Sequence, residues 1–322
     1  MKHYISLPAV FAAEKIVHTY LKPTQLTFYQ SLSDLIGADV YVKHENHQPG
    51  GSFKIRGGLN VMHHLKAQGV NGVITFSTGN HGMSIAASAR QFGIKAVIVV
   101  PKGSNPVKVQ RIKAFGALVL EEGNTFEEAA VFGRAYQEEH QLHFIHPANE
   151  PHIINGVGTE FTEILRDLPD VDAVVLPIGA GSELAAGVTV LKQVNPTIEI
   201  YAVQAQASKA AFLSWKEGRM QSSANQTFAG GFATGEAYEV TFNIYKDALS
   251  GFVLLSEDEL LQGVHMAMEH TRNLAEAAGA STIMAALKIK ELLRGKKVVL
   301  QMSGANESLD VVVSALKAHK LK

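Results

Sequence analysis

The 322-residue chain contains no cysteine. That one absence removes disulfides, thiolate nucleophiles and cysteine-held zinc or iron–sulfur centres, and it is compatible with a cytoplasmic location. Charge of either sign is scarce as well. Charged residues make up 18% and the formal net charge is -1, so no basic field exists to hold nucleic acid. No uninterrupted apolar run of about 18 residues occurs, so no membrane span is expected. Phosphate-loop NTPase chemistry is excluded because Gly-Lys-Ser/Thr is absent. The 14 histidines contain no His-Glu-x-x-His; His63-His64 are adjacent and His140, His143 and His146 are spaced by three. They read as surface or structural residues, and no metal site is expected.

What is present fits a soluble globule, with 46% hydrophobic residues in a length that suits one large domain or two ordinary ones. Residues 5–13 are mildly apolar and end in Phe11-Ala12-Ala13, which looks like a cleavage site. Pro8 interrupts the run and Glu14-Lys15 continue it, so the segment reads as an amphipathic helix and not as a signal peptide.

Short apolar or alternating runs at 38–43, 73–76, 96–100, 117–120, 173–176, 198–203, 252–255 and 298–302 read as strands. Helical patterns separate most of them, at 84–92, 107–115, 126–139, 183–193, 208–217, 257–272, 281–293 and 309–318. Residues 219–251 are irregular and read as a functional loop with one short helix. Strands alternating with helices imply an α/β fold with parallel sheets covered on both faces. Two open parallel-sheet α/β domains are expected, with ligands at the carboxyl ends of the strands in a cleft between the domains.

One stretch organises the chain: His47-Gln48-Pro49-Gly50-Gly51-Ser52-Phe53-Lys54-Ile55-Arg56-Gly57. A Pro-Gly-Gly turn delivers Ser52, a good N-cap, and Lys54 then falls in the first turn of a helix. The helix dipole disfavours a cation at that end, and partial desolvation disfavours it further. A lysine kept neutral is a nucleophile suited to imine chemistry with carbonyl groups and pyridoxal phosphate.

The other unusual segments each follow an expected strand. Ser77-Thr78-Gly79-Asn80-His81-Gly82 follows the run at 73–76. Small hydroxyls, glycines and an amide at a helix start form an anion cradle, although Ser77 or Asn80 alone would serve as a cap. Pro177-Ile178-Gly179-Ala180-Gly181-Ser182 follows the run at 173–176, and its bare amides suit a phosphate. A nicotinamide fingerprint competes for it, but Leu184 stands at the third glycine, and Gln204 and Gln206 replace the expected acid. Gln301-Met302-Ser303-Gly304-Ala305-Asn306 follows the last strand, where Ser303 by itself reads as a cap for the final helix.

A lysine after Gly-Gly-Ser-Phe, a Ser-Thr-Gly-Asn-His loop, a glycine-rich loop and a late Ser-Gly-x-Asn, in that order, resemble the fold-type II pyridoxal-phosphate enzymes of the threonine dehydratase and serine racemase family. Lys43-His44-Glu45 and Ala275-Glu276-Ala277-Ala278-Gly279-Ala280 fit as well, so the resemblance runs from about Leu7 to Ser308. It implies the cofactor pyridoxal 5'-phosphate, held by the amine of Lys54, which also takes the substrate Cα proton. It implies Phe53 packed on the cofactor ring, Asn80 at its 3-hydroxyl and Ser303 at its ring nitrogen. Gly179, Ala180, Gly181 and Ser182 would hold the phosphate, with Gly231 approaching through its backbone. Ser77, Thr78, Asn80 and His81 would cradle the substrate carboxylate, with Thr78 the candidate second acid–base group. The implied domains are 1–65 with 150–322, binding the cofactor, and 66–149, carrying the carboxylate loop. A cytoplasmic homodimer acting on a small amino acid, without nucleic-acid or membrane partners, is the implied setting.

The reaction implied is β-elimination from a small β-hydroxy amino acid, L-threonine or L-serine first, to a 2-oxo acid and ammonia; amino-acid racemisation is the alternative. The chain departs from the family pattern at several points. Ala180 and Ser182 interrupt the usual glycine run, and Glu183 places an acid beside the phosphate, where an outward orientation is expected. Val157 stands where many members have glutamine, and Gln206 where metal-dependent members have an acid. The Ile-Gly-x-Gly-Ser variant, 215–219 and 227–231 look more like the hydroxyectoine-utilisation dehydratase branch. No regulatory domain is expected after Ser303.

Overall fold

Alternating strands and helices build two sheets in the computed structural model, which describes residues 5–77 and 79–319. Ten strands occur among these residues: β1 (Leu26–Phe28), β2 (Asp39–Lys43), β3 (Gly72–Phe76), β4 (Lys95–Val100), β5 (Leu118–Glu121), β6 (His143–Phe144), β7 (Ala173–Pro177), β8 (Glu199–Ala205), β9 (Gly251–Leu255) and β10 (Lys297–Gln301). One sheet has the order β5-β4-β3-β6 and is parallel throughout. The other has the order β1-β2-β10-β7-β8-β9, parallel except for the antiparallel β1–β2 pair.

The contacts divide the chain into two compact units, residues 1–21 with 54–157 and residues 22–53 with 158–322. The boundaries expected from the sequence agree on 22–53 and differ in placing 1–21, 54–65 and 150–157 with the later half. The reason is helix packing inside the first unit. Helix Lys54–Ala67 lies against helices Leu7–Tyr20, Asn80–Phe92 and Pro151–Val157. Val17, Leu21, Ile55 and Leu59 form one apolar cluster there, so burial binds the lysine helix to this unit.

In the second unit every residue of β7 is buried, which explains its unbroken apolar run. Val40, Val42, Val175, Val203, Leu255, Val298 and Leu300 form its central cluster together with residues of helix Ala277–Lys288. Because β2, β10 and β7 are neighbours and parallel, the segments that leave their carboxyl ends emerge side by side. Those segments carry Ser52 and Phe53, Ser303, and Gly179 to Ser182 respectively.

The long elements fall where the hydrophobic periodicity puts them, including the N-terminal helix, whose Ser6 hydroxyl accepts from the Ala9 amide at 3.3 Å. Several elements lie outside that reading: β1, β6 and helices Gln30–Ile36, Pro151–Val157 and Thr159–Asp167. Among the described residues no helix is long and apolar enough to cross a membrane.

Candidate active site

Lys54 is the first residue of helix Lys54–Ala67, as the dipole argument requires. Ser52 has a different neighbour from the one its N-cap reading implies: it pairs with Gly304 in an isolated antiparallel bridge. The Phe53 amide donates to the Ser303 carbonyl at 3.1 Å, and the Ala305 amide to the Gly51 carbonyl at 2.9 Å. The Pro-Gly-Gly segment is thus stitched to the segment after β10. Ser303 is buried and does not cap the final helix, which begins six residues later at Leu309.

Within the first unit, β3 ends at Phe76 and helix Asn80–Phe92 starts after Gly79. No side chain caps that helix; the Ser77 hydroxyl instead accepts from the Gly79 amide at 3.2 Å. Asn80 is the first helical residue, so neither Ser77 nor Asn80 acts as the N-cap. Thr78 lies outside the described residues. His81 is buried, with Nε2 at 3.0 Å from the Thr75 hydroxyl. That hydroxyl donates to the Ile145 carbonyl at 2.9 Å. A hydroxyl has one proton to give, so His81 donates from Nε2 and carries its proton there. Burial, followed by the Lys54 charge, pushes its pKa down to about 3. The His81 side chain is therefore neutral and bonded to Thr75 beside the start of its helix.

The second unit carries the glycine-rich loop. After β7 the Ile178 amide donates to the Val203 carbonyl at 2.9 Å, and the chain turns through Gly179, Ala180 and Gly181 into helix Ser182–Val194. Gly181 has φ 95°, a conformation that favours glycine, and no side chain caps the helix. The Thr241 hydroxyl lies 3.1 Å from both the Ala180 and the Tyr238 carbonyls, so its one proton is shared between this turn and the start of its own helix. A Cβ on Gly179 would lie 2.1 Å from the Gly231 carbonyl oxygen, so residue 231 meets this loop main chain to main chain. Gly231 in turn borders Ala278, and Gly279 borders Gly304 and the Ser303 amide.

Glu183 does not point outward. It is buried, and its Oε1 accepts from Gln301 Nε2 at 3.2 Å, while the same nitrogen donates to Glu160 Oε2 at 3.1 Å. The acid beside the glycine-rich loop is thereby tied to β10, the strand that delivers Ser303. A second buried group follows β2, where Lys43 Nζ meets Glu163 Oε2 at 2.6 Å and the Thr24 carbonyl at 2.8 Å. Glu45 accepts from the Thr24 hydroxyl at 2.6 Å. Lys43 and Glu45 of the motif therefore bond to Glu163 and to the segment before β1. Among the described residues no group of three or more His, Asp or Glu side chains is disposed to hold a metal ion.

Each unit thus offers a helix N-terminus, reached directly from a parallel strand, that no side chain caps. Unsatisfied amides at the positive end of a helix dipole are an anion site.

Residues 17–304 match the family model described as pyridoxal-phosphate dependent enzyme. The chain belongs to that family. It is 35% identical over 311 residues to an L-threonine ammonia-lyase of Thermotoga maritima, an alignment covering 96% of this chain and 77% of the relative. The processed form of threonine deaminase isoform 2 from Solanum lycopersicum has a similar structure, with a TM-score of 0.92 at 31% identity, over 97% of this chain and 92% of that one. A maize serine racemase gives a TM-score of 0.91 at 26% identity, over 99% of both chains. The fold-type II α/β architecture expected from the motifs stands with these matches.

The residues present fit the family's cofactor. The helix behind 179–182 carries no side-chain cap, so its first amides are left for an anion, and Gly179 and Gly181 let the loop pack closely against the Gly231 carbonyl and Thr241. Thr75 and Thr241 escaped the sequence reading. Thr75 is one residue of a hydrophobic strand, and Thr241 lies in the irregular 219–251 segment, where no periodicity marks it.

Proposed function

We propose that this chain is a pyridoxal-phosphate-dependent ammonia-lyase that dehydrates a small β-hydroxy amino acid, L-threonine or L-serine first, to a 2-oxo acid and ammonia. The observation that carries the reading is the uncapped, glycine-opened N-terminus of helix Ser182–Val194, a phosphate site in a chain whose lysine opens a helix of its own. The choice of reaction is supported by the L-threonine ammonia-lyase matched along nearly the whole chain.

When bound, pyridoxal phosphate supplies the electron sink that stabilises negative charge at the substrate Cα. Lys54 would hold it through Nζ and would take the substrate Cα proton at the same atom. Amides of Gly179, Ala180, Gly181 and Ser182 bind the phosphate, and Gly231 lines the loop through main chain. Phe53 would pack against the ring, and Asn80 would bond its 3-hydroxyl. Ser303 would face the ring nitrogen, where a hydroxyl would not enforce protonation as a carboxylate would. The turn through Ser77, Thr78, Asn80 and His81 binds the substrate carboxylate by main chain, with the His81 ring as its anchor. The β-hydroxyl leaves with a proton as water, and hydrolysis of the resulting enamine releases ammonia.

The unit formed by 22–53 and 158–322 is the cofactor-binding one in this reading, and the unit containing 54–157 carries the carboxylate turn. We assign the protein to the cytoplasm as a homodimer. The lack of cysteine is compatible with that compartment, and the exposed Phe28 and Leu35 offer apolar surface to a second copy.

Ammonia and 2-oxo acid release across a panel of β-hydroxy amino acids tests the reading, with 2-oxobutanoate from L-threonine the expected result. A panel that includes a hydroxyectoine-derived β-hydroxy amino acid and yields no ammonia from any member overturns it. Racemisation is the second reading, favoured by the likeness to maize serine racemase along the whole chain. L-Serine in deuterated water separates the two: elimination gives pyruvate in excess, whereas racemisation gives D-serine at least as fast, with Thr78 as the second base.

A further inference from the structure

We infer that Ser84 is a positioning residue for Lys54. Its hydroxyl fixes the start of the lysine helix against the helix that begins at Asn80. The inference rests on the roles proposed above for Lys54 and Asn80.

Ser84 lies one turn beyond Asn80, so the two share a face of helix Asn80–Phe92. A serine inside a helix ordinarily turns to solvent or bonds back to the carbonyl four residues earlier. Ser84 is buried, and its hydroxyl donates across to the carbonyl oxygen of Lys54 at 2.6 Å. That is at the short end for O–H···O bonds, whose usual distance is about 2.7–2.8 Å. A helical carbonyl has two lone pairs; the ladder bond occupies one, and Ser84 takes the other.

The approach is built into the sequence at Gly58. A Cβ there would lie 2.4 Å from Ser84 Oγ and 2.5 Å from Ser88 Oγ. A glycine inside a helix costs about 1 kcal/mol relative to alanine, and here it opens the space in which the serine reaches the Lys54 carbonyl. Ser88, one turn further on, meets the same glycine, but its buried hydroxyl has no hydrogen-bond partner. Ser88 is thus a packing neighbour without the bond, and Ser84 ties Lys54 to the helix of Asn80 by a hydrogen bond. The amine that attaches the cofactor and the amide that bonds its hydroxyl are held in register through this contact. Small displacements of reacting groups are costly, up to roughly a hundredfold in rate for about 1 Å.

The test is the rate at which pyridoxal phosphate attaches to Lys54 when added to cofactor-stripped protein, followed by the visible absorption band and, after borohydride, by the mass of the Lys54 peptide. Ser84→Ala and Ser84→Cys are compared with wild type and with Ser88→Ala. Cysteine keeps nearly the shape of serine but donates weakly. The expected result is a roughly tenfold slower attachment for both Ser84 variants, with Ser88→Ala unchanged and all three melting close to wild type. In turnover the same variants lose kcat with KM little changed. Attachment at the wild-type rate in Ser84→Ala, or in Ser84→Cys alone, overturns the inference, because the second outcome makes Ser84 a matter of packing. A wild-type protein that forms the Lys54 adduct but releases no ammonia overturns the proposed reaction and leaves the Ser84 comparison valid. A wild-type protein that forms no Lys54 adduct overturns both.

Discussion

The amide of Phe53 donates to the carbonyl of Ser303 at 3.1 Å, joining the residue before the lysine to the second residue after the last strand. The two are 250 positions apart in the chain, and the register comes from sheet order, since β2 and β10 are parallel neighbours. With its carbonyl held by Phe53, Ser303 has a fixed backbone from which to present its hydroxyl. Ser303→Asp is expected to slow product formation at least tenfold and to lengthen the life of the coloured species formed during turnover, since a carboxylate would accept from the protonated ring nitrogen and keep it protonated. Stopped-flow absorbance checks this; unchanged kinetics and spectra would mean that the hydroxyl does not meet the ring.

Gly179→Ala tests the phosphate cradle. The added methyl would start 2.1 Å from the Gly231 carbonyl oxygen, so main chain has to move. Cofactor affinity, measured by absorbance titration of the stripped protein, is expected to fall by at least tenfold, and the stripped protein is expected to melt at a lower temperature, since the obstructing atom is backbone. An unchanged Kd would place the phosphate elsewhere.

Two histidines set a dependence of stability on pH. Burial, followed by the Lys54 charge, pushes His81 down to about 3; burial, followed by the His47 charge, pushes His44 down to about 4. Above their ordinary value of 6.5 both are neutral in the folded and unfolded chains and contribute nothing. Below it the unfolded chain binds protons that the folded chain refuses, so stability falls as pH drops from 6.5 toward 3. His81→Gln keeps a donor toward Thr75 and does not titrate. Between pH 6.5 and 5 it is expected to lose about 2 kcal/mol less than wild type, at about 1.4 kcal/mol per pH unit. Denaturant melts at the two pH values measure this, and parallel losses in the two proteins would show that His81 titrates normally.

Lys43 and Glu163 form a buried pair, and removing one partner strands the other's charge. Lys43→Met is expected to cost roughly 3–5 kcal/mol, with much of that loss recovered when Glu163→Leu is added. Urea unfolding of the single and double variants decides it; a single variant as stable as wild type would mean that the pair is not formed.

Much of this was legible in the sequence. Strand and helix periods located the long elements, and the rule that ligands gather after parallel strands picked out the segments at 77–82, 177–182 and 301–306. Lys54 at a helix start followed from turn chemistry alone. What escaped the sequence depends on distant contacts. β6 is two residues long and exists through its pairing with β3. Ser52 looked like a cap, but its bridge to Gly304 answers to a partner 252 positions away. Glu183 looked like a surface acid, and only the fold brings Gln301 to it. His81 looked like a ligand for a carboxylate, and its tautomer is set by Thr75 and Ile145 on two different segments. The unit boundaries at 21, 53 and 157 carry no change in composition, because they are set by which helices the lysine helix packs against.

The central claim is that Lys54 carries the cofactor. Borohydride reduction of the yellow protein, followed by proteolysis and peptide mass spectrometry, tests it most directly. A reduced phosphopyridoxyl group on Lys54, absent from Lys54→Ala, is the expected result. The same modification on another lysine, or a protein that takes up pyridoxal phosphate and yields no modified peptide, would contradict the account.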